Sequence, residues 1–389
     1  MVFSLKYGCW LLGVGMVLWL ARPLAAQETP PPRAAAAADA FAVPDGTPDE
    51  LLNYIAILEH QRPTAETPQA LAEFRTKLFH ALWKATAKIL AGRPNTAQLQ
   101  DAVRYQLIAL QALDRMGDAK AGKALAAFPT AALEKAGLAD LVRMVHVVQL
   151  QAPLHRKASR EEFAKALRGI EKFLRETPLD EDAARLATDT VTALEECDYA
   201  DLAVRTCLDF SKLFAASQDE ELATLGATFE GAARRLGLVG RGIVLTGSTP
   251  DGALLNWKKY KGKVVLIDFW TTWCGPCREE LANIEKNYAA YHSRGFDVVS
   301  VSLDKDREAL TQFLEEHKEP WTVLLDDYDA RGTSKSLSTY YGIIGIPAVI
   351  LVGADGKVVS LRSRGEQLGK DLERLLGPAA PQAERRRRG

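Results

Sequence analysis

Two cysteines three residues apart, Cys274 and Cys277, are the residues of this chain best suited to chemistry. A thiol pair at that spacing can close a small disulfide ring and trade it with another disulfide. One sulfur attacks, and the other resolves the mixed disulfide that results. The flanking sequence assigns the roles. Val264 to Trp270 is a near-continuous apolar run, the pattern of a strand buried on both faces. The run breaks at Gly275-Pro276 and gives way to polar, helix-favouring sequence from Arg278 to Tyr291. Cys274 is therefore expected at a strand-to-helix turn, exposed and at a helix N-terminus, where unpaired N–H groups and the macrodipole favour a thiolate. Cys277, one helical turn inside, is the resolving thiol. A Cys-x-x-Cys can also be half of a zinc site. This stretch offers no second such pair and no histidine pair, since His292 and His317 stand singly and far along the chain. The reaction needs no metal and no other cofactor.

Two acids stand close to the thiols. Asp268 interrupts the apolar strand six residues before Cys274, on the face of Leu266 and Trp270 by strand period. Burial without a partner raises the pKa of a carboxyl, and a neutral or proton-sharing Asp268 can take the proton of Cys277 as the mixed disulfide resolves. The alternative is a structural aspartate bonded to backbone or to Lys263. Glu280 follows Cys277 by three residues on roughly the same helix face, and either tunes the same proton or stands as solvated surface beside Glu279. Trp273 is expected to shield the disulfide and offer an apolar contact to a client, whereas Trp270 packs in the core. With Trp273, the Gly275-Pro276 turn and the Ile346-Pro347 step make up the expected substrate-binding surface. A cis peptide at Pro347 would turn the Ile346 backbone outward to pair with an extended substrate.

The elements that must hold these groups alternate. After the dithiol come strand Phe296–Leu303, helix Asp306–His317, strand Thr322–Leu325, a short helix near Ser334–Tyr341, strand Ala348–Val352, strand Lys357–Leu361 and helix Glu366–Leu376. Such alternation ending in a hairpin and a helix gives a mixed sheet with helices on both faces. Ahead of it, Gly237 to Gly262 is turn-rich, with a short β run at Ile243–Leu245 in an opening hairpin.

The remainder of the chain is of another kind. Its 389 residues predict two or three domains, and 47% hydrophobic with 25% charged residues is a globular composition. A net charge of −1 gives no reason to expect a nucleic-acid partner. Lys6, the apolar run Tyr7–Leu20 and Arg22-Pro-Leu-Ala-Ala26 describe a secretory signal over 1–26, and an uncleaved membrane anchor is the alternative. Export places the chain in an oxidising compartment, periplasmic or cell-envelope. Residues 27–48 are Pro/Ala-rich and read as a tether. From 49 to 236 the chain turns Ala- and Leu-rich with helical period, as in Leu71, Phe74, Leu78, Leu82 and Ile89, and with further helices at Glu161–Glu176, Leu179–Glu196, Tyr199–Phe214 and Glu220–Leu236. Helical repeats and a plain bundle fit this region equally, and its use would be to bind or space a protein partner. Cys197 and Cys207 lie there and read as buried free thiols, not as a second disulfide. Residues 378–389, with Arg385 to Arg388, form a basic tail.

The stretch Asp268-Phe-Trp-Thr-Thr-Trp-Cys-Gly-Pro-Cys277, taken with Gly345-Ile-Pro347, resembles the thioredoxin superfamily. The signal and the extra strand–helix segment before Pro347 resemble its exported TlpA/ResA-like branch. The resemblance covers about 237–377 and nothing in 49–236. It implies a thioredoxin-like fold behind an all-α region, Pro347 in cis, Cys274 as nucleophile and Cys277 as resolving thiol. Asp268 matches the buried aspartate of thioredoxins and Glu280 the acid that some exported members use instead. The Gly-Pro dipeptide implies a reducing potential on the order of −270 mV, that of thioredoxin. The implied partners are disulfide-bearing clients, apocytochrome c among them, and a membrane thiol electron donor, which would place the chain in cytochrome c maturation. Two other readings compete: a peroxiredoxin-like peroxidase, which needs a Thr and a Pro ahead of a single cysteine where here Thr271 and Thr272 precede a dithiol with no suitable Pro, and a helical scaffold with an accessory redox domain.

Overall fold

The computed structural model describes residues 40–63, 67–156, 158–326 and 336–379. The expected signal, most of the 27–48 tether and the arginines of the tail lie outside them. Among the described residues no helix is long and apolar enough to cross a membrane.

The chain divides into two compact units, whose described residues are 40–170 and 171–379. The first unit is all-α. Its helices are α1 (Pro48–Glu59), α2 (Pro68–Ala91), α3 (Thr96–Arg115), α4 (Ala119–Ala126), α5 (Ala131–Lys135) and α6 (Ala139–Gln151). Local sequence starts them. Thr47 with Glu50, and Asn95 with Gln98, make reciprocal caps at α1 and α3, satisfying N–H groups that a helix leaves open. The apolar stripes meet in one core that includes Ile55, Leu82, Ile89, Leu107, Leu110 and Val145. The division of the chain falls within the next helix, α7 (Arg160–Glu176).

The second unit begins all-α, with α8 (Glu181–Glu195), α9 (Ala200–Ala215) and α10 (Glu220–Leu236). Phe210 and Phe214 of α9 meet Phe229 of α10 edge-on, at 6.0 and 5.4 Å between ring centres. The sheet follows in the order β3-β2-β1-β4-β5, built from β1 (Val264–Trp270), β2 (Phe296–Ser302), β3 (Thr322–Leu325), β4 (Ala348–Val352) and β5 (Val358–Ser360). β1, β2 and β3 run parallel, whereas β4 is antiparallel to both β1 and β5. Its helices are α11 (Gly275–Tyr291), α12 (Arg307–His317), α13 (Leu337–Tyr340) and α14 (Glu366–Leu376). This is the mixed sheet that the sequence predicts. Every residue of β1 is buried because both faces are covered: Leu266 and Trp270 enter one core with α11 and α14, Val265, Ile267 and Phe269 the other with Leu337 and Tyr341.

Composition changes at Leu236–Gly237, but the contacts do not divide the chain there. Helix α10 is built against the turn that follows α13. A Cβ on Gly231 would run into the backbone of Thr339 and Gly342, so the two backbones touch. Arg235, 2% exposed, donates from Nε to the Tyr341 carbonyl at 2.9 Å and from Nη2 to the Gly342 carbonyl at 3.1 Å, and pairs with Glu195 at the end of α8. The run Ile243–Leu245 is not a strand. Isolated bridges stand around it, at Val239, Gly242 and Ser248, and the side chains of Ile243 and Leu245 pack beneath the sheet. The helix expected near 334–341 covers Leu337–Tyr340, with Ser334 outside the described residues.

Candidate active site

Strand β1 delivers its chain to a turn clamped by one aspartate. Thr272 donates its N–H to both carboxylate oxygens of Asp304, at 3.2 and 3.0 Å, and its hydroxyl to Oδ1 at 2.8 Å. Asp304 itself is fixed by Ser302 at the end of β2, whose hydroxyl donates to Oδ2 at 2.8 Å. Two residues past that clamp, Cys274 caps α11: its backbone is extended, and the N–H of Cys277 points at its sulfur at 3.2 Å. Pro276 stands in the first turn, where a missing N–H costs nothing. Cys274 and Cys277 are joined in a disulfide. The exposure expected of Cys274 is absent in this state, since it is 4% exposed against 1% for Cys277. Both sulfurs belong to an apolar cluster with Trp270, Leu281 and Ile284, and that packing covers them. Trp273, 53% exposed, stands out beside them, whereas Trp270 is wholly buried. Gly275 is exposed and Pro276 partly so.

The Ile346–Pro347 peptide is cis. Ile346, just ahead of β4, packs against both apolar clusters, that of the two cysteines among them. Arg364, in the loop after β5, donates to the Pro347 carbonyl at 2.6 Å and lies 3.6 Å from Glu196.

Asp268 lies mid-β1, opposite Ser300 of β2 and Val349 of β4, and is 1% exposed. The structural alternative fails on one side: the Lys263 ammonium goes to Asp297 at 2.8 Å, not to Asp268. Asp268 Oδ1 has no hydrogen-bond partner. Burial, then the negative charges of Glu280 and Glu319, raise its pKa well above the ordinary carboxyl range, against the pull of Arg364. Glu280 is neither solvated surface nor unpartnered. It accepts from the Gly365 N–H at 3.1 and 3.0 Å and from the Asn283 amide at 2.8 Å, which ties α11 to the loop carrying Arg364.

Three contributors escape the sequence. Asp304 was in plain view at the end of a strand, and only its register against Thr272 reveals its work. Arg364 is one basic residue among several in a loop. Glu319 lies in the polar run Glu315 to Glu319, which reads as a solvated helix end. Cys197 and Cys207 are free, with Cys207 buried and Cys197 partly so.

Residues 228–376 match the Redoxin family. Over 131 residues the chain is 31% identical to a thiol-disulfide oxidoreductase ResA of Bacillus cereus, a match spanning 34% of this chain and 72% of the relative. A thiol-disulfide oxidoreductase ResA of Bacillus thuringiensis is 29% identical over the same shares. Among solved structures, the chain is similar to the thioredoxin domain of a thiol-disulfide oxidoreductase from Bacteroides vulgatus. The identity is 32%, over 36% of this chain and 97% of that one, with a TM-score of 0.32.

Proposed function

The chain belongs to the ResA-like thiol-disulfide oxidoreductases of the thioredoxin superfamily, and on that premise we propose that it reduces disulfides in exported client proteins through Cys274 and Cys277. The observation that carries this is the disulfide itself, closed at the N-terminus of α11. There a thiolate on Cys274 is stabilised by the Cys277 N–H that already points at its sulfur.

The cycle begins with the reduced pair. The Cys274 thiolate attacks one sulfur of the client disulfide and expels the other as a thiolate, leaving a mixed disulfide. Cys277 then gives its proton to the Asp268 carboxylate and attacks the Cys274 sulfur, closing the Cys274–Cys277 bond and expelling the second client thiolate. Two electrons have passed to the client, and one proton has passed from Cys277 to Asp268. A protonated Asp268 beside a closed disulfide is the state that its burial favours. Trp273, the Gly275-Pro276 turn and the Ile346-Pro347 backbone form the surface on which an extended client would lie. A membrane thiol donor would return the electrons, apocytochrome c is one client of suitable kind, and residues 1–26 would serve export.

The Cys277→Ala variant tests the cycle. It is expected to accumulate a covalent adduct on Cys274 that dithiothreitol releases, read on a non-reducing gel with envelope extract or a disulfide peptide. Absence of any adduct overturns the reading.

A further inference from the structure

The segment between β2 and β3 carries a group that the exchange reaction leaves unused. Helix α12 ends at His317, and the next residue, Lys318, has φ 44 and ψ 60. It is the one residue other than glycine with positive φ among the described residues, at a position that glycine normally fills. Past this cap the chain packs back onto the sheet. The Trp321 indole N–H donates to Ser300 Oγ at 2.7 Å, and Ser300 is the residue opposite Asp268 across β1 and β2. Tyr288 of α11 donates to the Pro320 carbonyl at 3.3 Å, with its ring 5.3 Å from that of Trp321.

Glu319 stands between the left-handed cap and this anchor. Its Oε2 is shielded from solvent and has no hydrogen-bond partner, as is true of Asp268 Oδ1. The two carboxyls are near enough for the charge of Glu319 to act on Asp268. Buried oxygens left unpartnered are costly and call for an explanation, and acids shifted by burial gather at functional sites. The charged and titratable groups around the pair are Glu280 and Arg364 beside Asp268, Glu285 beside Glu319, and Tyr288 from α11. Burial, and then Glu285, push Glu319 up to about 7, so it changes charge around neutrality, and burial pushes Asp268 in the same direction. Unlike Asp268, Glu319 as a residue is only partly buried.

We propose that Glu319 is a proton-relay residue acting through Asp268: it takes the proton that Asp268 collects from Cys277, releases it to water, and returns one when the disulfide is re-reduced. Only O–H bonds break and form in the relay, and the electrons stay with the sulfurs. The inference rests on the thiol exchange above, and the test separates the two.

Reduced full-length protein is mixed with a disulfide peptide, and closure of the Cys274–Cys277 bond is followed by tryptophan fluorescence from pH 5 to 9. Glu319→Gln keeps the shape of the side chain. With Cys277→Ala added, it is expected to form the Cys274 adduct at the rate of Cys277→Ala alone. With Cys277 present, closure should slow about 10-fold at neutral pH, less than the ~100-fold of losing a direct acid–base group, and lose its step near pH 7. Glu319→Asp should restore part of both. Closure at the unaltered rate and profile overturns the proposal, and so does an equal slowing at every pH, which a packing defect would give. An Asp268→Asn variant with unaltered closure overturns it as well, since no proton then passes through Asp268. Failure of the Cys277→Ala adduct to form brings down the exchange reading itself.

Discussion

The two helical stretches of this chain read alike and are held differently. Helices α1–α6 bury their stripes among themselves, in a core of Leu, Ile, Val, Ala and Phe side chains. Helices α8–α10 share an aromatic core between α9 and α10, but the far face of α10 is Gly231 and Arg235, set against backbone carbonyls of the sheet unit. A helical period says that one face is buried. What buries it is told by the residue types within the stripe. An apolar stripe needs only another like it, whereas a glycine and an arginine in the stripe demand a close backbone and acceptors aimed at the guanidinium. The partner of α10 is the turn Thr339–Gly342, from which the chain runs on to the cis peptide at Pro347. The last helices thus brace the loop on which a client would lie.

The comparison breaks most readily at Arg235. Arg235→Met removes one partner of a buried ion pair and takes the guanidinium away from the Tyr341 and Gly342 carbonyls. The expected loss is about 3–5 kcal/mol in chemical denaturation. Because the loop to Pro347 loosens with it, the KM for a disulfide peptide should rise as well. A loss of stability without change in KM would reduce the brace to ordinary packing. Leu110→Ala, in the wholly buried core of α3, should cost about 2–4 kcal/mol as a cavity. Its effect is expected in amide exchange of residues 48–151 alone, with the closure rate of the dithiol unaltered. A shift in that rate would mean that the two helical stretches act as one body.

How much of this the sequence carries depends on whether a residue's work is local. Strand β1 and its dithiol are legible because seven apolar residues, a Gly-Pro break and a polar helix lie side by side in the chain. Helix bounds at α8, α9, α10 and α12 fall within two residues of expectation, since caps such as Asp180, Asp219 and Asp306 act on neighbours. Asp268 is legible as an anomaly in an apolar run. Its company is not, because Glu319 and Arg364 come from segments 51 and 96 residues further on (319 − 268 and 364 − 268) and carry charges that ordinarily mark solvent. The same limit applies to Ile243–Leu245, where alternation signals one buried face and cannot say whether a neighbouring strand completes the pairing. The covering of Cys274 belongs here too: turn sequence predicts exposure, while cluster packing, drawn from α11, β1 and Ile346, removes it.

The smallest effect sharpens the comparison from the other side. Helices α8 and α9 also reach the loop after β5 at the surface, where Arg362 donates to the Glu196 carbonyl at 3.0 Å and to Asp198 at 3.1 Å. The Asp198 side chain is 84% exposed, so water screens the pair and its worth in stability is about 0–1 kcal/mol. Arg362→Ala should therefore leave the denaturation midpoint nearly unchanged, and what little it shifts should vanish in 1 M salt, where screening sets in within about 3 Å. Arg364, two residues on, holds the Pro347 carbonyl and acts on Asp268 through its charge, so a strap at Arg362 would act by limiting where Arg364 can go. If it does, Arg362→Ala changes the KM for a disulfide peptide about 2-fold, roughly 0.4 kcal/mol, while stability holds. If KM and stability both stay put, the helices brace the site through the buried contacts of Arg235 and Gly231 alone.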